Sequence, residues 1–312
     1  MSEPELSLIF VADRYETIRT TVRHAAEQTA HDRLEALIVA PSAAELAADR
    51  SELERLACSR VVEVDRLRSL PWARAQGIRA ARAPVVVLTE SHSFPHPDWA
   101  ERLIAAHRGP WAAVGPVLAN GNPGPSLSWA SLLIAYGRWM EGAPPGPVDD
   151  LPGHNSSYKR DLLLSYGDRL EDMLEMESAL HHDLRARGHR LYLEPAAKTA
   201  HVNVSRLPSF LAVRFHSGRL FGAARAEGWP LWRRLAFVLG SPLIPAVRLA
   251  RFVRDLRRPD APAGLLPRVL PALTLGLMVS SLGEAVGYAL GAGASTHGRE
   301  DIELHRGQHA RS

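Results

Sequence analysis

At 312 residues, 46% of them hydrophobic and 23% charged, the chain can bury a full core and has neither a disordered nor a fibrous composition. Its single cysteine, Cys58, excludes an internal disulfide and any metal cluster built on several thiolates. The net charge of +3 is unevenly placed: residues 206–268 carry twelve Arg against Glu227, Asp255 and Asp260, while the chain before them is net acidic.

The opening MSEPELSLIFVADRYE is acidic and has no apolar run long enough for a signal peptide, so the first domain is expected in the cytoplasm. Strand and helix patterns then alternate. Residues 6–12 read as a buried strand and 15–28 as a helix with Ile18, Val22 and Ala25 on one face. A second strand is expected over 34–40, then an Ala- and Leu-rich helix over 43–56 with Ser42 as N-cap. A strand at 61–64, a helix at 72–81, a strand at 85–89 and a helix at 98–107 follow. Such alternation implies crossover connections and a mostly parallel sheet. Residues 111–119 form a further strand in which Gly115-Pro116 argues for an edge or a bend.

The fourth strand, Val85 to Thr89, ends in Glu90, Ser91 and His92. In open α/β sheets ligands bind beyond the carboxyl ends of strands. On an extended backbone Glu90 and His92 share a face and together could hold a divalent cation, which could in turn hold a diphosphate. The alternative is a polar strand end leading into a turn.

Beyond this, 120–125 is a loop, 129–140 an apolar helix and 141–153 a flexible Pro- and Gly-rich stretch. His154 to Arg160 (HNSSYKR) precedes an acidic helix over 170–187, closed by Gly188, and a short strand at 190–194. His181 and His182 are expected on the solvated face of that helix. After Arg206 the character changes. Residues 210–225 form a basic amphipathic helix, 235–247 is apolar but broken by Gly240, Pro242 and Pro245, and 265–290 is apolar except for Arg268 and Glu284. Large apolar residues interleaved with arginine favour a membrane surface over nucleic acid as the anionic partner. The expectation is of two embedded or interfacial helices, with a soluble helical appendage as the alternative. Residues 295–312 lack periodicity and read as a disordered tail.

The order of these pieces resembles a family-2 glycosyltransferase of the GT-A fold, over roughly residues 5–206. The first strand and loop look like the nucleotide-binding start of that family. ARAQGIRAA at 73–81 resembles its Arg-x-x-Gly helix, and Glu90-Ser91-His92 stands where the family usually has Asp-x-Asp. The acidic helix ends in Leu184-Arg185-x-x-Gly188-His189, like the helix that carries the family's catalytic carboxylate.

The resemblance implies an α/β GT-A domain over 1–206, beyond which the composition gives a basic and apolar membrane-associated helical region over 207–294 and a tail over 295–312. It implies Glu177 as the base, with Glu175, Asp172 and Glu171 as alternatives of register, and Glu90, His92 and His201 as ligands of Mn2+ or Mg2+. Asp13, Arg14 and Arg74 are implied as contacts to the nucleotide-sugar donor, and His154 and Asn155 as the acceptor side. The second strand runs into Ala40-Pro41-Ser42 instead of the family's Asp, which makes Asp65 the candidate replacement. The function implied is inverting, metal-dependent transfer of a sugar from a nucleotide-diphosphate donor to a lipid-linked or cell-envelope glycan acceptor. It would take place at the cytoplasmic face of a membrane, with no nucleic acid as partner. A non-catalytic relative that binds nucleotide or glycan is the alternative.

Overall fold

The computed structural model describes residues 3–256 and 264–310, so Arg257, Arg258 and Asp260 of the basic stretch lie outside the described residues. Two compact units emerge: Met1–Gly121 with Arg138–His201, and Asn122–Gly137 with Val202–Ser312.

The first unit is built on nine strands: β1 (Leu6–Val11), β2 (Leu34–Ala40), β3 (Ser59–Glu63), β4 (Val85–Leu88), β5 (Ser93–Pro95), β6 (Trp111–Asn120), β7 (Gly146–Val148), β8 (Ser157–Lys159) and β9 (Arg190–His201). They pair in the order β3-β2-β1-β4-β8-β6-β9-β5, with β7 also on β9. The first four strands run parallel to one another, as β6 does to β9. Strand β8 runs antiparallel between β4 and β6, so the sheet is mixed. All residues of β1, β2 and β4 are buried, as expected of parallel strands covered on both faces. Each fully buried Leu or Ile there contributes about 1.5–3 kcal/mol. The strand order reverses between β1 and β4, which makes that gap the place for a ligand.

Several elements differ from expectation. The helix expected over 43–56 is two short ones, Ala43–Leu46 and Arg50–Leu53, because Ala47 turns left-handed at φ 50°. Ser42 does cap the first, its hydroxyl accepting from the Glu45 N–H at 3.1 Å. Pro116 sits inside the sheet at a register shift between β6 and β9, so it marks a bend and not an edge. Strand β9 continues through that irregularity to His201 instead of ending at 194. The helix Leu70–Ala80 starts at the cap Ser69 and packs closely on β1: a Cβ on Gly77 would come 2.4 Å from Ile9 Cγ2. His107, half-buried after the helix Trp99–Ala106, joins that helix to β8 through its Nε2 at 2.8 Å from the Ser157 hydroxyl. Burial pushes its imidazole down to about 4, so it is a neutral ring.

The second unit is helical. Helices Leu207–Arg225 and Leu265–Leu290 meet through glycines on both partners. A Cβ on Gly218 would lie 2.1 Å from the Ser280 carbonyl oxygen, and one on Gly283 2.2 Å from that of Phe215. Gly222 and Gly287 stand one turn further along in the same relation to Glu284 and Arg219. Small residues at this spacing let two backbones touch. Two stretches, Leu231–Arg254 and Leu265–Leu290, are long and apolar enough to cross a membrane by length and composition. The first is interrupted by a 3-10 turn at Ser241–Leu243, where Pro242 falls. Leu231, Leu235, Leu239, Leu243 and Val247, four residues apart, are all at least half exposed and reach 80% at Leu239.

The expected disordered tail is helical over Ser295–Leu304 and Arg306–His309. Its anchor is non-local: the His309 carbonyl accepts from the backbone N–H groups of Ser205 and Arg206.

Candidate active site

Glu90 lies just past the end of β4, next to β1 at the point where strand order reverses. The chain turns at Ser91 and His92 and enters β5, where Ser93 pairs with His201 at the end of β9. This pairing brings His92 against His201, their rings edge to face with centroids 4.9 Å apart. Glu90 and His92 therefore meet across a turn and not along an extended strand. Glu90 Oε1 is 3.7 Å from His92 Nε2, and Oε2 is 3.3 Å from His201 Nε2. One ligand atom from each of the three residues lies within 4.8 Å of the others, and all three side chains are buried.

A third imidazole joins them. The Asn155 N–H donates to the Leu88 carbonyl at 2.8 Å, which holds the preceding residue over the end of β4. His154 Nδ1 is consequently 3.2 Å from Glu90 Oε1. Burial works to raise the Glu90 carboxyl, but the fields of His154, His92 and His201 outweigh it and hold the group well below the usual carboxylate range. A buried carboxylate facing imidazole nitrogens fits a divalent transition metal, for which mixed oxygen and nitrogen donors are suited.

The acidic helix breaks at Met176, which is extended at φ −134°, into Leu170–Glu175 and Glu177–Ala186. The break puts Glu177 in the first turn of the second piece, where Arg74 Nη1 donates to its Oε1 at 3.1 Å. Arg74 Nη2 is also 2.8 Å from His154 Nδ1, and His154 Nδ1 is 3.8 Å from Glu177 Oε1. His154 Nδ1 can accept from Arg74 or donate to Glu90, but not both at once. Arg74, one turn before the close-packed Gly77, is nearly fully buried.

Of the residues singled out in the sequence, Arg74, Glu90, His92, His154, Glu177 and His201 thus form one connected group. Asn155, buried in a left-handed conformation at φ 60°, shapes the turn beside it. Among the acids of the broken helix, Glu171 is directed elsewhere, with Oε1 3.3 Å from the Ser69 hydroxyl, and Asp172 is exposed. Asp13 lies half-buried after β1, and Arg14 is exposed at the start of the following helix. Asp65 is exposed beyond edge strand β3, three strand spacings or roughly 14 Å from β4.

Two features escaped the sequence reading. His154 belongs with the Glu90 group, although the resemblance implied only an acceptor-side role. His181, expected in solvent, is fully buried, with Nδ1 2.5 Å from Asp150 Oδ1 and Nε2 2.9 Å from the Tyr158 hydroxyl. The i, i+4 spacing of Glu177 and His181 was the available signal.

Among solved structures the chain is similar to GalNAc-T7 with UDP, GalNAc and Mn2+, at 13% identity and a TM-score of 0.48, covering 64% of this chain and 44% of that one. The chain therefore spans less than half of that protein's length. It is also similar to the mannosyltransferase PcManGT from Pyrobaculum calidifontis in complex with GDP-Man and Mn2+, at 17% identity and a TM-score of 0.47, covering 95% of this chain and 79% of that one. No curated protein matches the sequence. The model of glycosyl transferase family 2 matches residues 8–167, a stretch that includes Arg74, Glu90, His92 and His154 and stops short of Glu177 and His201. That match spans more than half of the sequence, on a mixed α/β sheet with the buried cluster at its switch point, and the chain belongs to glycosyl transferase family 2.

Proposed function

We propose that this glycosyltransferase moves a sugar, with inversion, from a nucleotide-diphosphate donor to a hydroxyl of a lipid-linked or cell-envelope glycan at the cytoplasmic face of a membrane. The observation that carries the reading is the closeness of a candidate base to a candidate metal site: Arg74 bonds Glu177, and His154 Nδ1 lies 2.8 Å from Arg74 Nη2 and 3.2 Å from Glu90 Oε1. Glu90, His92 and His201 would hold a divalent cation, whose charge would offset that of the departing diphosphate.

The chain's own residues supply the rest. Glu177 takes the proton of the acceptor hydroxyl as the new bond to the sugar C1 forms and the C1–O bond to the diphosphate breaks. Arg74, buried and bonded to Glu177, fixes that carboxylate's direction. His154, between Glu177 and Glu90, and Asn155 next to it would line the acceptor side. Asp13 and Arg14 would contact the base and ribose of the donor. Asp65 could reach only the far end of the nucleotide, because it lies beyond the edge strand.

The lipid acceptor and the membrane surface rest on the second unit. The exposed strip Leu231, Leu235, Leu239, Leu243 and Val247 runs through a segment that also carries Arg233, Arg234, Arg248, Arg251 and Arg254. Apolar residues with arginine suit an anionic bilayer surface.

The test is turnover by the full chain with Mn2+, UDP- and GDP-linked sugars and a lipid extract as acceptor. One donor is expected to release its nucleoside diphosphate at a rate that rises at least tenfold on adding the extract. No release from any donor, with or without lipid, contradicts the reading.

A further inference from the structure

The helix Glu177–Ala186 presents Glu177 and His181 on one face, one turn apart. A fully buried imidazole is costly unless its nitrogens are partnered, and both of these are. Tyr158, on the inner strand β8, has its phenol pushed well above the usual range, first by burial and then by the Glu177 charge. The Asp150 carboxylate can only accept, so His181 Nδ1 carries a proton and donates to Asp150 Oδ1 at 2.5 Å, while Nε2 lies 2.9 Å from the Tyr158 hydroxyl. Asp150 Oδ1 also accepts from the Leu151 N–H at 3.1 Å. The Trp139 indole N–H donates to the Asp150 carbonyl at 3.1 Å.

These bonds tie the Pro- and Gly-rich stretch before His154, which reads as flexible in the sequence, to the helix that bears Glu177. Three residues after Asp150 comes Gly153, and it forms a wall against the Glu177 carboxylate. A Cβ on Gly153 would come within 2.6 Å of Glu177 Cδ and 2.8 Å of Oε2. Glu177 is thus held from one side by Arg74 and from the other by a backbone whose place is set by Asp150.

We propose that Asp150, His181 and Gly153 are positioning residues for Glu177: the Tyr158–His181–Asp150 chain locks the loop 149–153 against the helix, and the locked loop confines the Glu177 carboxylate to the line between Arg74 and the acceptor hydroxyl. The proposal rests on the reading of Glu177 as the base. Displacement of a base by about 1 Å costs on the order of a hundredfold in rate.

The experiment is steady-state turnover and donor affinity for Asp150→Ala, His181→Phe, His181→Asn and Gly153→Ala, each alone and in the Glu177→Gln background, with folding checked by thermal unfolding. Asp150→Ala and Gly153→Ala are expected to lower kcat by tenfold to a hundredfold, to leave donor KM within twofold, and to have no further effect once Glu177 is Gln. His181→Asn keeps an N–H at the Nδ1 position and should retain several-fold more kcat than His181→Phe. Asp150 is a quarter exposed in a loop, so its variant tests the chain even where the buried His181 variants fail to fold. Folded Asp150→Ala and Gly153→Ala proteins with unchanged kcat overturn the proposal, as does an equal loss in both backgrounds. If Glu177→Gln alone keeps full turnover, the base assignment fails first and the positioning role falls with it.

Discussion

Glu177→Gln is expected to lower turnover by about a thousandfold while donor affinity stays within twofold of wild type. General-base catalysis contributes on the order of a hundredfold to ten-thousandfold, and an amide of the same shape cannot accept the hydroxyl proton. The amide oxygen can still receive the Arg74 N–H that now reaches Oε1 at 3.1 Å, so the surrounding geometry should persist. Initial rates and donor titration on the same preparation separate the two quantities. A loss shared equally between turnover and donor affinity would make Glu177 a binding group.

Gly283→Ala is expected to destabilise the helical unit by about 1–3 kcal/mol, the range for forced overpacking. Its Cβ would sit 2.2 Å from the Phe215 carbonyl oxygen, so two backbones must part. Gly240→Ala is the matched control, because nothing lies within 4 Å of a Cβ there. Removing an unneeded helical glycine stabilises by up to about 1 kcal/mol, so the same substitution should have opposite signs at the two positions. Thermal unfolding followed by tryptophan fluorescence reads both. Equal effects would mean that Leu207–Arg225 and Leu265–Leu290 are not in backbone contact.

What the sequence made legible is the run of strands β1, β2 and β4, because continuous apolar runs leave a buried parallel strand little alternative. The grouping of His201 with Glu90 and His92 came from the family resemblance, and the pairing of β5 with β9 that brings them together appears only in the structure. Strands β5, β7 and β8 have three residues each and carry no periodicity to find. The break at Met176 has no Pro or Gly to announce it; it exists because tertiary contacts of Glu177 and His181 override a helical pattern. The glycines at 218, 222, 283 and 287 were in plain view at four-residue spacing. Their meaning depends on a partner helix more than 60 residues away in the chain. The tail helices depend likewise on a backbone contact to Ser205 and Arg206.

The most direct test of the central claim is calorimetric titration of Mn2+ into the full chain, with and without the donor found by turnover, on wild type and on Glu90→Gln and His201→Ala. The account predicts one bound Mn2+ per chain, donor binding that needs the ion, and at least a tenfold loss of Mn2+ affinity in each variant. Mn2+ binding unchanged in both variants, or donor binding indifferent to chelator, would contradict a metal site at Glu90, His92 and His201.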